Sequence, residues 1–285
     1  MMPMAEVEAP PLAAQIRAAV ESGSLTLPPL PEVATRVINL LEDEANIDAA
    51  KLTELIALDS TIAAGVLRAA NSAAFGGLRA ISDVDQAVAR LGARQIGALV
   101  TSAAVKGHFG SGDPVKLGML HSLWGHALAT GVAARRLAAA DGGDVAEAFL
   151  AGLLHDMGKL LVLKGVDHLE QAGATALTPA VLDELINILH AELGHQSLAS
   201  WRISEPICQV ALRHHKRLPA TSEPLLLRVQ AANAIAKKLG AHPKPEPELN
   251  LLDVPAVERL NLGDLEVASL LVDVEDELIQ VRSLF

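Results

Sequence analysis

An uninterrupted apolar segment, residues 148–154, ends directly at the pair His155 and Asp156. A continuous apolar run of this kind predicts an element that is buried on all sides, here a helix. An ionised carboxylate at the end of a buried helix is strongly destabilising unless it is paired with a charge or bound to a metal ion. The His155-Asp156 pair is therefore the first candidate for a functional site.

The residue types predict an all-α protein. Ala and Leu, the residues that favour helices most, occur throughout the chain, whereas aromatic residues make up 2% of it and Tyr is absent. Aromatic and β-branched residues are the ones that favour strands, so little sheet is expected.

Periodicity and stop signals divide the chain into short helices and two lobes. The segment 107–113 is rich in Gly and precedes Pro114, so we expect the boundary between the lobes there. We predict an N-terminal extension over 1–24, an N-terminal helical lobe over 25–113 and a C-terminal helical lobe over 114–285. The predicted helices are 11–21, 31–42, 48–58, 61–72, 83–91, 93–106, 117–140, 144–155, 179–191, 194–201, 205–215, 224–239 and 265–281.

Charge and cysteine content narrow the function classes. A net charge of -11 argues against a nucleic-acid surface, which needs clustered Lys and Arg. The single cysteine, Cys208, allows no internal disulfide and is expected to be a buried core residue. The N-terminus lacks the pattern of a signal peptide and no long uncharged apolar segment is present, so we expect a cytoplasmic protein without a membrane span.

Histidines in the predicted C-terminal lobe are not scattered at random. Besides the 155–156 pair, the candidate residues are His126 within a helix, His190, and the pair His214-His215 at the end of a helix. Imidazole and carboxylate groups are ligands of Zn, Mn, Fe and similar divalent ions, and helices that converge on one core can bring them together. Spacing alone does not show that they converge, and each histidine taken singly is also explained as a hydrogen-bonded structural residue.

The motifs around these histidines resemble the HD superfamily of metal-dependent phosphohydrolases. The resemblance rests on the segments 124–126, 148–159 and 190–194, on Trp201 and on the His214-His215 pair. In the first lobe, Asp59, Leu67, the pair Asn71-Ser72, Ile81 and the segment 87–92 resemble the HDOD domain, a helical signalling module related to that superfamily. The resemblance extends over about residues 25–239.

The resemblance implies roles for individual residues. His126, His155 and Asp156 match metal-ligand positions, and His190, His214 and His215 match further ligands of the HD-GYP branch. Lys159 matches a lysine that can contact a substrate phosphate in active relatives. Asn233 stands where the superfamily has a closing Asp ligand, and it brings no negative charge to a divalent cation. Fe, Mn, Zn or Mg are the ions implied, if any is bound.

The segment after His215 also departs from the superfamily. Residues 216–219 replace the Glu and the Gly-Tyr-Pro segment of the cyclic di-GMP phosphodiesterases, and the chain has no Tyr. Arg213, Lys216 and Arg217 form a basic cluster there, interpreted either as a solvated helix end or as an anion-binding rim. Trp124 and Trp201 are expected in the core.

These observations favour a regulatory HDOD protein, of the kind found with response regulators, that acts through protein contacts and has a degenerate metal site. The resemblance implies partners among two-component or cyclic-dinucleotide signalling proteins. The alternative is a metal-dependent phosphohydrolase acting on a nucleotide or cyclic dinucleotide, in which Lys159 would be catalytic. A scaffold without any ligand is the third possibility. The sequence leaves the identity of the partner and the oligomeric state open.

Overall fold

Regular structure in the described part of the chain is entirely helical. The computed structural model describes residues 9–42, 47–75, 80–173, 177–217 and 223–282, and no β-strand is found among them. The all-α prediction is confirmed. None of the described helices is both long enough and apolar enough to cross a membrane.

We name the helices before and after the Gly-rich segment 107–113 the first and the second group, by chain order only. The first group comprises α1 (Ala9–Glu21), α2 (Glu32–Leu41), α3 (Ala49–Ala57), α4 (Ser60–Asn71), α5 (Val84–Leu91) and α6 (Ala93–Lys106). The second comprises α7 (Pro114–Asp141), α8 (Val145–Leu154), α9 (Gly158–Gln171), α10 (Pro179–Ser200), α11 (Glu205–Arg213), α12 (Pro224–Lys238), α13 (Pro255–Arg259) and α14 (Asp264–Arg282). Short 3₁₀ turns lie at Ala73–Phe75 and Leu251–Asp253.

Aspartate side chains define where several helices begin. Asp48, Asp59, Asp83 and Asp144 each accept hydrogen bonds from backbone N–H groups in the first turn of the helix that follows. These N–H groups have no partner within the helix, so the caps stabilise the starts of α3, α4, α5 and α8.

The long helix α7 is the centre of the second group. It packs against α8, α12 and α14, and its middle turns are buried almost completely. Gly152 allows α8 to approach α7 closely, since a Cβ there would lie 2.6 Å from the Thr130 carbonyl oxygen. This close crossing brings His126 of α7 beside His155 at the end of α8.

Three elements differ from the sequence prediction, and glycine explains two of them. The helices α9 and α13 are absent from the prediction, and α10 is one helix in place of the two predicted helices 179–191 and 194–201. In the sequence, Gly158 and Gly194 look like residues that end a helix. In the structure they lie where α9 and α10 touch. A Cβ on Gly158 would lie 1.8 Å from the His190 carbonyl oxygen and 2.6 Å from the Gly194 nitrogen.

The terminal helices pack on other parts of the fold. The helix α1 lies within the predicted N-terminal extension and packs on α9 and α10, and Arg17 forms an ion pair with Glu192 at 3.0 Å. The helix α14 packs on α7, where buried Glu277 pairs with Arg135 and Arg136. Any placement of α14 that separated Glu277 from the two arginines would leave a buried charge without a partner, which is costly. The contact therefore fixes the orientation of α14 on α7.

The α9–α10 contact gives a stability prediction. In Gly158→Ala the new methyl group meets backbone atoms that cannot rotate away, so we expect a loss of about 3 kcal/mol in the free energy of unfolding, measured in urea. Gly118→Ala is the matched control, because a Cβ at exposed Gly118 meets nothing within 4 Å. It should be neutral or stabilising by up to about 1 kcal/mol. Equal effects of the two substitutions would contradict the close contact.

Candidate metal centre

The predicted site residues come from five elements that meet in the second group of helices. His126 lies on α7, His190 on α10, and His155 and Asp156 in the turn that joins α8 to α9. Lys159 lies in the first turn of α9, and the pair 214–215 directly follows α11. The structure brings these seven side chains together, with Asp156 in their midst.

The Nδ1 atoms of four histidines face main-chain carbonyl oxygens. His155 and His214 use carbonyl groups three residues earlier, of Gly152 at 2.7 Å and Ala211 at 2.8 Å. The carbonyls at a helix C-terminus have no partner within the helix, so these rings satisfy them. In the other two contacts, His190 faces Ile186 and His126 faces Ala241, the latter at 2.9 Å.

These contacts fix the tautomer of each ring. A carbonyl oxygen can only accept a hydrogen bond, so Nδ1 carries the proton and Nε2 of the neutral ring carries a lone pair. Histidines that bind metals are oriented in the same way, through a hydrogen bond from the nitrogen that does not bind the ion. The lone pairs of four Nε2 atoms are therefore directed inward.

The Nε2 lone pairs converge on the Asp156 carboxylate. On one side, Oδ2 lies 3.3 Å from His155 Nε2 and 3.5 Å from His126 Nε2. On the other side, Oδ1 lies 3.4 Å from His214 Nε2 and 3.7 Å from His190 Nε2. These separations are longer than a good N–H···O hydrogen bond, and both atoms of each pair are acceptors.

Burial favours the neutral form of three of the clustered imidazoles. It lowers the pKa of His126 well below its ordinary value and that of His190 to about 4, and it also lowers the pKa of His214. Burial raises the pKa of Asp156, but its contacts with His155 and with the ammonium group of Lys159 outweigh this, and the net pKa is well below its usual range. The carboxylate is therefore ionised, and the rings of His126, His190 and His214 around it are neutral.

The donor set fits a cation. His126 Nε2, His155 Nε2 and Asp156 Oδ1 are buried without a hydrogen-bond partner. Such unsatisfied buried atoms are costly, and a metal ion satisfies them together. Two ligand atoms that each lie about 2.1 Å from one ion are about 3.0–3.4 Å from each other. The distances of 3.3–3.7 Å between the Nε2 atoms and the Asp156 oxygens are close to this range.

The potential ligands form two groups that share Asp156. One group is His126, His155 and Asp156, and the other is Asp156, His190, His214 and His215; within each group the donor atoms lie within 4.8 Å of one another. The two groups differ in charge, because Lys159 Nζ lies 2.5 Å from Oδ2, the oxygen that faces His126 and His155. The ammonium group thus already supplies a positive charge on that side.

The remaining predicted residues have varied surroundings. Asn233 lies on α12, which packs against α7 and α8, and its Oδ1 is buried without a hydrogen-bond partner. Its role as a ligand stays a prediction.

Arg213 of the basic cluster pairs with Glu223 at 3.2 Å. As expected, Trp124 and Trp201 are buried in the core, each with 6% of its surface exposed, and Cys208 is buried completely.

Sequence reasoning missed one residue next to the site. The ring of His242 packs against that of His126 with centroids 4.5 Å apart, edge to face. It lies in the proline-rich segment after α12, which has no helical periodicity. No spacing rule connects it with His126, so only the fold reveals the contact.

Comparison with known proteins identifies the family. The family model described as the HDOD domain matches residues 27–217, more than half of the chain. The chain therefore belongs to the HDOD domain family. A protein of Treponema pallidum, named only as uncharacterized, is 28% identical over 218 residues, which are 73% of this chain but 41% of that protein. The chain thus matches about two-fifths of this relative's length.

Solved structures share the fold. A Shewanella amazonensis SB2B protein, provisionally named a metal-dependent phosphohydrolase, has a TM-score of 0.74 at 24% identity and covers 95% of this chain and 99% of its own. An HDOD domain protein of unknown function from Geobacter sulfurreducens has a TM-score of 0.74 at 23% identity, with 97% and 98% covered. A Marinobacter aquaeolei VT8 protein, provisionally named a signal transduction protein, has a TM-score of 0.62 at 20% identity, with 95% and 66% covered.

Proposed function

We propose that this HDOD protein is a cytoplasmic regulator that acts through contacts with other proteins, and that its cluster binds a divalent metal ion without hydrolysing phosphoesters. One observation carries this proposal. Asp156 is the only carboxylate in the described cluster, and its charge is already balanced by Lys159. With the amide of Asn233 in the closing position, the ligands offer almost no net negative charge to an ion.

The group formed by Oδ1 of Asp156 with His190, His214 and His215 is the better place for the ion, because the lysine lies at the other oxygen. A set dominated by imidazole suits Zn or Fe, and also Mn, better than Mg, which prefers oxygen ligands. A bound ion would supply Lewis acidity and would lower the pKa of a coordinated water. The described cluster supplies one ionised carboxylate, that of Asp156, and the oriented lone pairs of the histidines. It contains no second acidic side chain.

A metal-dependent phosphohydrolase is the second candidate. It is favoured by a cleft of about 550 Å³ beside the cluster, lined by His214, His215, Lys216, Arg217 and Arg259 among others. Its lining includes three cationic side chains and one carboxylate, that of Glu258. The cations would contact a phosphate group of a nucleotide or cyclic dinucleotide. In this alternative Lys159 would leave Asp156 and neutralise phosphate charge.

Metal content and turnover separate the two candidates. We expect purified protein, prepared without chelator, to contain metal and to hydrolyse bis(p-nitrophenyl) phosphate and cyclic di-GMP no faster than His155→Ala when Mn, Fe or Mg is supplied. Metal-dependent turnover that His155→Ala abolishes would establish the phosphohydrolase instead. Absence of metal from every preparation would favour a ligand-free scaffold.

The closing position is tested by Asn233→Asp, which adds a negative charge at the predicted ligand. We expect metal affinity to rise about tenfold, as measured by competition with a chromogenic chelator. Asn39→Asp is the matched control, since Asn39 is exposed on α2 and should leave affinity unchanged. An unchanged affinity in Asn233→Asp would show that α12 does not supply the closing ligand.

The surface that we assign to protein contacts is a stripe on α14. Leu265, Val272 and Ile279 are 84%, 59% and 66% exposed, and their spacing of seven residues places them on one face. Such a row of large exposed apolar side chains is a common feature of partner surfaces. Two exposed acids, Glu275 and Asp276, lie beside the stripe.

The charge of α14 determines which partner fits the stripe. Two copies of this helix would place acidic residues against acidic residues, which is unfavourable. A partner helix with apolar residues at the same spacing and Lys or Arg beside them is complementary. We therefore propose that the stripe binds a basic amphipathic helix of a two-component or cyclic-dinucleotide signalling protein.

A photo-crosslinking amino acid in place of Val272 tests this assignment in cells. We expect the crosslinked peptide to be a Lys- or Arg-rich amphipathic segment of another protein, and its yield to fall with Glu275→Lys and Asp276→Lys. The same probe in place of Leu58, which is 67% exposed on the turn after α3, is the control and should not capture that segment. Crosslinks to α14 of a second copy, or to an acidic segment, would overturn the assignment.

A further inference from the structure

A second cleft lies on the side of α7 near the His242 loop. Its volume is about 440 Å³, and it is bounded by the end of α6, the first half of α7, the turn after α12 and the end of α14. None of the seven clustered side chains at Asp156 lines it. Its size is within the range of about 300–1,000 Å³ typical of small-molecule sites.

The ionisable side chains that line this cleft are all basic. They are Lys106, His121, His242 and Arg282, and no carboxylate of the described residues lines it. This is unusual in a chain with a net charge of -11, in which acidic residues outnumber basic ones. The cleft is therefore a local region of positive potential on an acidic protein.

Two of the cations have no acidic partner in the part of the chain that the structure describes. Among the described residues, neither Lys106 nor Arg282 forms an ion pair; the ammonium group of Lys106 lies 4.6 Å from the centre of the Trp124 ring. Burial lowers the pKa of Lys106, and no carboxylate offsets this cost. An anion bound in the cleft would supply the missing partner.

We propose that this cleft binds a small phosphate-bearing anion, with Lys106 and Arg282 as its principal contacts. The two side chains approach from different helices, and the exposed His121 adds a hydrogen-bond donor along the wall. Several donors around one volume suit an anion with more than one charged oxygen, such as a phosphate ester or diphosphate.

The location gives the cleft a direct connection to the metal centre. The lining residue Ala241 accepts the hydrogen bond from His126 Nδ1 at 2.9 Å, and the His242 ring contacts the His126 ring. The turn that closes the cleft is thus the same turn that orients one inward-facing imidazole. The binding proposal itself does not depend on the metal or on the function proposed above.

Calorimetric titration of inorganic pyrophosphate into chelator-treated protein tests the proposal, since metal-free protein excludes binding through a bound ion. We expect saturable binding at one site, weakened at least tenfold in the double variant Lys106→Gln/Arg282→Gln. If the double variant does not fold, as judged by circular dichroism, Arg282→Gln alone suffices, because Arg282 is exposed at the end of α14. That single variant should also bind more weakly.

The matched control removes two exposed charges that lie outside both clefts. Arg36→Gln/Lys51→Gln alters α2 and the start of α3 and should leave the dissociation constant for pyrophosphate unchanged. Lys216→Gln/Arg217→Gln tests whether pyrophosphate binds in the cleft beside His215 instead. Three results would overturn the proposal: no saturable binding to the unmodified protein, equal weakening in the Lys106→Gln/Arg282→Gln and Arg36→Gln/Lys51→Gln variants, or weakening only in the Lys216→Gln/Arg217→Gln variant.

Discussion

The convergence of four Nε2 lone pairs on the Asp156 carboxylate is the interaction on which the rest of the site depends. Each ring is held by an Nδ1–H donated to a main-chain carbonyl, so none can turn its remaining nitrogen away without losing that hydrogen bond. Acceptors that face one another in a dry interior destabilise the fold unless a cation lies among them. The Lys159 ammonium group supplies a positive charge at Oδ2, but it does not contact Oδ1.

Close contacts between helices bring the clustered histidines together. Glycine at the α7–α8 crossing and at the α9–α10 contact lets backbones approach more closely than any side chain would permit. The first contact brings His126 to His155, and the second brings the start of α9 to the turn of α10 that carries His190. A larger residue at either position would move the ligands apart as well as destabilise the core.

The sequence predicts the fold class and most helices well because the signals are local. Aspartate caps, apolar periodicity and the Gly-rich segment before Pro114 act within a few residues. It fails at Gly158 and Gly194, where a glycine needed for a close approach between helices resembles a helix terminator. The same limit applies to the site. The motifs indicate His155 and Asp156, and most of the ring contacts are with carbonyl groups three or four residues earlier. The orientation of His126 by the Ala241 carbonyl and the contact of His242 with His126 depend on residues distant in sequence.

Nitrogen-15 NMR of the histidine side chains in metal-free protein at neutral pH tests the central claim most directly, because it distinguishes the two neutral tautomers and the charged ring. The account predicts that His126, His155, His190 and His214 each carry a proton on Nδ1, that His126, His190 and His214 are neutral, and that zinc shifts the Nε2 resonances of His190 and His214. Neutral rings with the proton on Nε2, or a positive charge on His126, His190 or His214 at neutral pH, would contradict it.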